Sequence, residues 1–71
     1  MKKTINNSMN LLFTVTDIET GLESVVYQDP DGRYRVIFRD SEDNAIYTIR
    51  IYRELESARI AAHEFAHAHL H

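Results

Sequence analysis

Apolar and polar positions divide the chain into four short extended segments followed by one helix. Residues 11–18, from Leu11 to Ile18, are rich in aromatic and β-branched side chains, and Leu11, Phe13 and Val15 are expected on one face. Glu19-Thr20-Gly21 reads as a turn, and Ser24-Val25-Val26-Tyr27-Gln28 as a second short strand. Asp29-Pro30-Asp31-Gly32 is the clearest turn in the chain. Pro30 presets φ at the second turn position, and Gly32 can take the positive φ that closes a hairpin. Residues 33–40 then alternate with a period of two: Tyr34, Val36 and Phe38 point one way, and Arg33, Arg35, Ile37 and Arg39 the other. After the polar turn Ser41-Glu42-Asp43-Asn44, residues 45–52 form the fourth strand. Its inner set is expected to be Tyr47, Ile49 and Ile51, and its outer set Ile46, Thr48, Arg50 and Tyr52.

From about Arg53 the period becomes helical. Leu55, Ala58, Ala62, Phe65, Ala66 and His69 gather on one side at about 100° per residue, and Ile60, His63, Glu64 and His67 on the other. Glu54 and Glu56 lie in the first turn, where carboxylates meet the positive end of the helix dipole. The small alanines permit a close approach to a sheet. The expected fold is therefore α+β, a small antiparallel meander of three to four strands with one C-terminal helix packed on one sheet face. Its expected core is Tyr34, Val36, Phe38, Tyr47, Ile49, Ile51, Leu55, Ala58, Ala62 and Phe65, with Phe13 and Val15 from the first strand.

Length and composition narrow the function classes. Seventy-one residues make one domain, 1–71, with the Asn-rich residues 1–9 as a candidate disordered segment. The chain is 44% hydrophobic and 27% charged, with two Gly and one Pro, which excludes collagen-like and broadly disordered readings. It has no cysteine, hence no disulfide and no thiolate metal site. A net charge of −3 argues against an indiscriminate nucleic-acid binder. There is no run of 18 apolar residues to cross a membrane, and the basic start runs into asparagines instead of an apolar signal core. The expected location is the cytoplasm.

His63-Glu64-Phe65-Ala66-His67 matches H-E-x-x-H on a helix. Two imidazoles one turn apart can hold zinc while the intervening carboxylate acts on bound water. These five residues resemble the zinc metallopeptidase signature. The resemblance implies His63 and His67 as ligands and Glu64 as general base. The helical wheel, however, gives the inward side to Phe65 and the alanines and leaves His63 and His67 in solvent, with no evident third ligand beyond the chain-terminal His71. They remain weak metal candidates. His69, on the apolar side near the helix end, is expected to be a partly buried or capping imidazole. Without a paired nucleophile and base or a phosphate-cradling glycine loop, the chain is expected to be no enzyme and to need no cofactor.

The outer sheet face is the stronger candidate. Arg33, Arg35, Arg39 and Arg50, four of the eight basic residues, are expected to share it with Ile37, Ile46 and Tyr52. Arg, Tyr and exposed Ile are residues that protein interfaces use. The function expected is a non-enzymatic protein-binding module that occludes or modulates a larger protein, with a homodimer as another use of the face. Small, acidic, cysteine-free chains are common among mobile-element and phage accessory proteins, including inhibitors of host defence complexes, an analogy of class only. A nucleic-acid sheet would use the same arginines, but lacks a row of outward aromatics and has acidic loops at its rim.

Overall fold

The computed structural model describes residues 9–68. Four strands, β1 (Asn10–Asp17), β2 (Leu22–Gln28), β3 (Tyr34–Asp40) and β4 (Ile46–Tyr52), precede one helix, α1 (Leu55–Ala66). The strands form a single antiparallel sheet in chain order. The chain is thus a small α+β fold, as the periodicity implies. Most of the segment 1–9 expected to be disordered, and both His69 and His71, lie outside the described residues.

Three turns carry the positive-φ residues of the structure: Gly21 at 73°, Gly32 at 93° and Asn44 at 62°. Each turn follows a strand-ending or turn-opening aspartate. The Asp17 carboxylate accepts from the Glu19 N–H at 2.8 Å, and the Asp40 carboxylate from the Glu42 N–H at 2.7 Å. In the central hairpin the Gly32 N–H donates to the Asp29 carbonyl at 2.9 Å, and the Asp29 N–H to the Arg33 carbonyl at 2.8 Å. The Asp17 and Asp40 carboxylates replace ladder bonds lost at their turns, while backbone carbonyls close the central one.

The helix lies chiefly over β2 and β3. Val26, Val36, Phe38, Ala58 and Ala62 are the buried centre, with Phe13, Val15, Tyr34, Tyr52, Ala61 and Phe65 packed around it. Fully burying a valine contributes about 1.5–3 kcal/mol, so Val26 and Val36, which have no exposed surface, are among the main sources of stability. Phe65 sits against Phe38 with ring centroids 4.8 Å apart and meets Tyr47 edge-on at 5.7 Å. Ala58, Ala62 and Ala66 have no exposed surface, so backbone rather than side-chain bulk sets the helix-to-sheet spacing. Two hydroxyls exploit that closeness. Ser24, itself fully buried, donates to the Ala62 carbonyl at 2.8 Å, and Thr20 donates to the Ala66 carbonyl at 2.8 Å. The second bond satisfies a carbonyl at the helix end, where intrahelical partners run out.

Register corrects two expectations. On β1 the pairing slips between Leu11 and Phe13, so Leu11 falls opposite Tyr27 on the side away from the helix, while Phe13 and Val15 keep the helix side. On β4, Arg39 pairs with Ile46 and Phe38 with Thr48, leaving Tyr47 as the extra residue of a bulge. Beyond it Val36 pairs with Arg50 and Tyr34 with Tyr52. Directly opposed residues share a face. Arg50, Thr48 and Tyr52 therefore share the helix side, and Ile49 and Ile51 the other, the reverse of the expected inner and outer sets. Ile49, Ile51, Tyr47 and Leu55 are not core residues; all four are exposed. Ser24, Val26 and Ala66 take their places in the interior.

Candidate functional site on the open face of the sheet

The face away from the helix is built of three cross-strand rows. Thr16, Glu23, Arg39 and Ile46 make one; Thr14, Val25, Ile37 and Ile49 the next; and Leu11, Tyr27, Arg35 and Ile51 the third. Arg33, one step before β3, has the same strand parity as Arg35 and Arg39. Of the expected interface residues, Arg33, Arg35, Ile37, Arg39 and Ile46 thus belong to this side. Arg50 and Tyr52 do not: Arg50 is exposed on the helix side, and Tyr52 packs against the core.

The arginines are held by carboxylates of the chain itself. Arg35 makes a two-pronged pair with Asp29, Nε to Oδ1 and Nη2 to Oδ2, each 3.1 Å. Asp29 is only 9% exposed. Its hydrogen bond and charge hold the Arg35 guanidinium above its ordinary pKa. Arg39 donates from Nε to Glu23 at 2.7 Å, and Thr16 donates to the other Glu23 oxygen at 2.9 Å. The Arg39 hydrogen bond is the main reason the Glu23 carboxyl lies below its ordinary pKa. Arg33 approaches Asp31 at 4.0 Å, with both side chains well exposed. Electrostatically, this side is neutralised pair by pair and is not a cationic field.

What remains uncovered is aliphatic. Ile46, Ile49 and Ile51 are 56%, 44% and 46% exposed along β4, and Ile37 on β3 is half-buried beside them. Val25, in the same row as Ile37 and Ile49, is closed over by its neighbours on a central strand. The apolar surface therefore runs from the middle of the sheet outward and widens at β4. Ile49 and Ile51 are its unforeseen members, and Asp29 and Glu23 are the unforeseen clamps. The hairpin register could have revealed Glu23, because pairing Gln28 with Tyr34 carries Glu23 to a position opposite Arg39.

The helix places His63 and His67 one turn apart, both exposed, with rings stacked at 5.9 Å. His67 Nδ1 lies 2.8 Å from Asp17 Oδ2, and this hydrogen bond is the main reason the Asp17 carboxyl lies below its ordinary pKa. Glu64 is exposed on the same helix. Among the described residues, no three His, Cys, Asp or Glu side chains gather as a metal ion requires. His67 is engaged in tying the helix end to β1, and no crevice-facing ligand pair is formed.

No protein-family model, curated protein or solved structure matches the chain. No helix among the described residues is long and apolar enough to cross a membrane.

Proposed function

We propose that the chain is a non-enzymatic protein-binding module that occludes or modulates a larger protein through the open face of its sheet. One observation carries this reading: Ile37, Ile46, Ile49 and Ile51 form a continuous apolar surface on the face that α1 does not cover. Contiguous exposed apolar surface rimmed by polar groups is characteristic of interaction sites. Pairing with Asp29 and Glu23 changes the expected partner. Arg35 and Arg39 are already neutralised, so attraction to an acidic surface contributes little. Apolar contact is the main source of affinity, and the ion pairs form a polar rim that orients the docking. The partner best suited to this surface is a folded protein with an apolar patch of its own.

The test is capture of a partner from the native cell, followed by measured affinity with the purified partner. Ile37→Lys is expected to weaken binding at least about tenfold, since it places an ammonium in the contact. Glu64→Lys, on the far side of the helix, is expected to leave it unchanged. Undiminished binding by the Ile37 variant would remove the open face from consideration.

A further inference from the structure

β4 is an edge strand: among the described residues no other strand pairs with its outer side. Every residue of it except Tyr52 is exposed, and it carries three isoleucines and no lysine, proline or carboxylate. Natural sheets blunt edges with lysines, prolines, inward charges, bulges or a covering element, because bare N–H and C=O groups beside apolar side chains recruit another strand. β4 has the Tyr47 bulge and Arg50 on the helix side, but its open face is left to isoleucines. The other edge, β1, also has a register slip but is less apolar on the open face. There it presents Thr14 and Thr16 beside a single exposed leucine, Leu11, where β4 presents three isoleucines.

Charge distribution identifies what fits against β4. Of the six arginines in the sequence, Arg33, Arg35, Arg39 and Arg59 each have a carboxylate partner. Among the described residues Arg50 and Arg53 have none, and they lie at the end of β4 and just past it. Glu42 and Asp43, which likewise have no cationic partner among the described residues, lie just before its start. Glu54, also without a cationic partner among the described residues, follows Arg53, so the strand runs from an end with two unpaired carboxylates to an end with two unpaired guanidiniums and one carboxylate. An antiparallel copy of itself would set acidic against basic at both ends, whereas a parallel copy would set like against like.

We infer that β4 pairs with β4 of a second copy, antiparallel across a two-fold axis normal to the sheet, to give a continuous eight-stranded sheet with both helices on one side. An axis through Ile49 satisfies the side-chain parity. Ile49 then opposes its own copy and Arg50 opposes Thr48. With Tyr47 bulged out, Ile51 opposes Ile46, and Arg53 comes alongside the Asn44–Asp43 turn. The middle row becomes an unbroken line from Val25 through Ile37 and Ile49 into Ile49, Ile37 and Val25 of the second copy. On the helix side, the exposed Tyr47 and Leu55 of both copies face the seam between the helices. Such an interface is isologous and closes on itself, so it makes a dimer and not a fibre.

The inference stands apart from the partner reading, because it concerns the purified chain alone. Sedimentation equilibrium of the full chain at micromolar to hundred-micromolar concentrations is expected to give twice the chain mass. Ile49→Lys sets two ammonium groups face to face at the axis and is expected to give a monomer with an unchanged far-ultraviolet circular dichroism spectrum; Ile49→Thr serves if the lysine variant does not fold. Arg53→Glu is expected to weaken the dimer about tenfold at low salt. Adding Asp43→Arg to it is expected to restore the dimer. A wild-type chain that stays monomeric throughout, or a folded Ile49 variant that stays dimeric, overturns the inference. Undiminished partner binding by an Ile37→Lys chain that still dimerises would count against the open-face reading alone.

Discussion

Asp29 grips Arg35 with both carboxylate oxygens across the β2–β3 hairpin, at 3.1 Å each. The same aspartate closes the turn through its backbone, so one residue both shapes the hairpin and holds a guanidinium against the open face. Two-pronged pairs fix orientation as well as distance. Replacing Asp29 with Asn keeps the shape and the turn but removes the charge from a nearly buried site. Because Arg35 retains about a third of its exposure, water takes up part of the loss. Asp29→Asn is expected to cost about 1–2 kcal/mol in urea unfolding. No change in midpoint would show that the pair contributes orientation only.

Ser24 and Ala62 make the buried bond between sheet and helix. Removing the hydroxyl leaves a carbonyl with one acceptor direction unfilled in a dry interior. Ser24→Ala is expected to lose about 1 kcal/mol. Ser24→Val adds bulk beneath an alanine and is expected to lose more, despite a higher strand propensity. Thermal unfolding of the two variants side by side checks the order.

The alanine stripe makes the reverse test possible. Ala62→Leu must either push α1 off the sheet or distort β2, at about 1–3 kcal/mol. Arg59 lies on the same helix with its side chain in solvent, and Arg59→Ala is expected to leave the unfolding midpoint nearly unchanged. Equal effects at the two positions would mean that the helix does not sit where Ala62 places it.

Asp17 and Glu23 both have pKa values below the ordinary ones, held there first by the His67 and Arg39 hydrogen bonds respectively. Protonating them is harder in the folded chain than in the unfolded one. The stability they contribute is therefore present above the ordinary carboxylate values and is lost as pH falls through the depressed folded values. The urea midpoint is expected to decline below about pH 4.5, and Glu23→Gln to flatten that decline. A midpoint that holds level from about pH 5 to pH 3 contradicts these pairings.

The legibility of the fold differs strand by strand. β3 is plain because its alternation sets aromatic and aliphatic residues against arginines, and a shift by one residue would bury the arginines. The helix is plain because alanine, phenylalanine and carboxylate positions agree on one stripe. β4 is not. Its residues Ile46, Tyr47, Thr48, Ile49, Arg50, Ile51 and Tyr52 offer apolar side chains to either face, so periodicity alone leaves the parity open. The Tyr47 bulge then inverts it relative to the simple count from the turn. Alternation therefore locates the open face correctly through β3 and Ile46, and wrongly through the rest of β4, where Ile49 and Ile51 stand in the places expected of Arg50 and Tyr52. β2 conceals its importance behind Ser24, a polar residue that is buried only because Ala62 offers it a carbonyl.

Because α1 roofs β2 and β3, the isoleucines of β4 contribute little to holding the monomer together. Selection for a stable fold therefore has little hold on Ile46, Ile49 and Ile51. Related chains that retain aliphatic side chains there, while their other exposed positions drift, would be recording a demand that comes from outside the monomer.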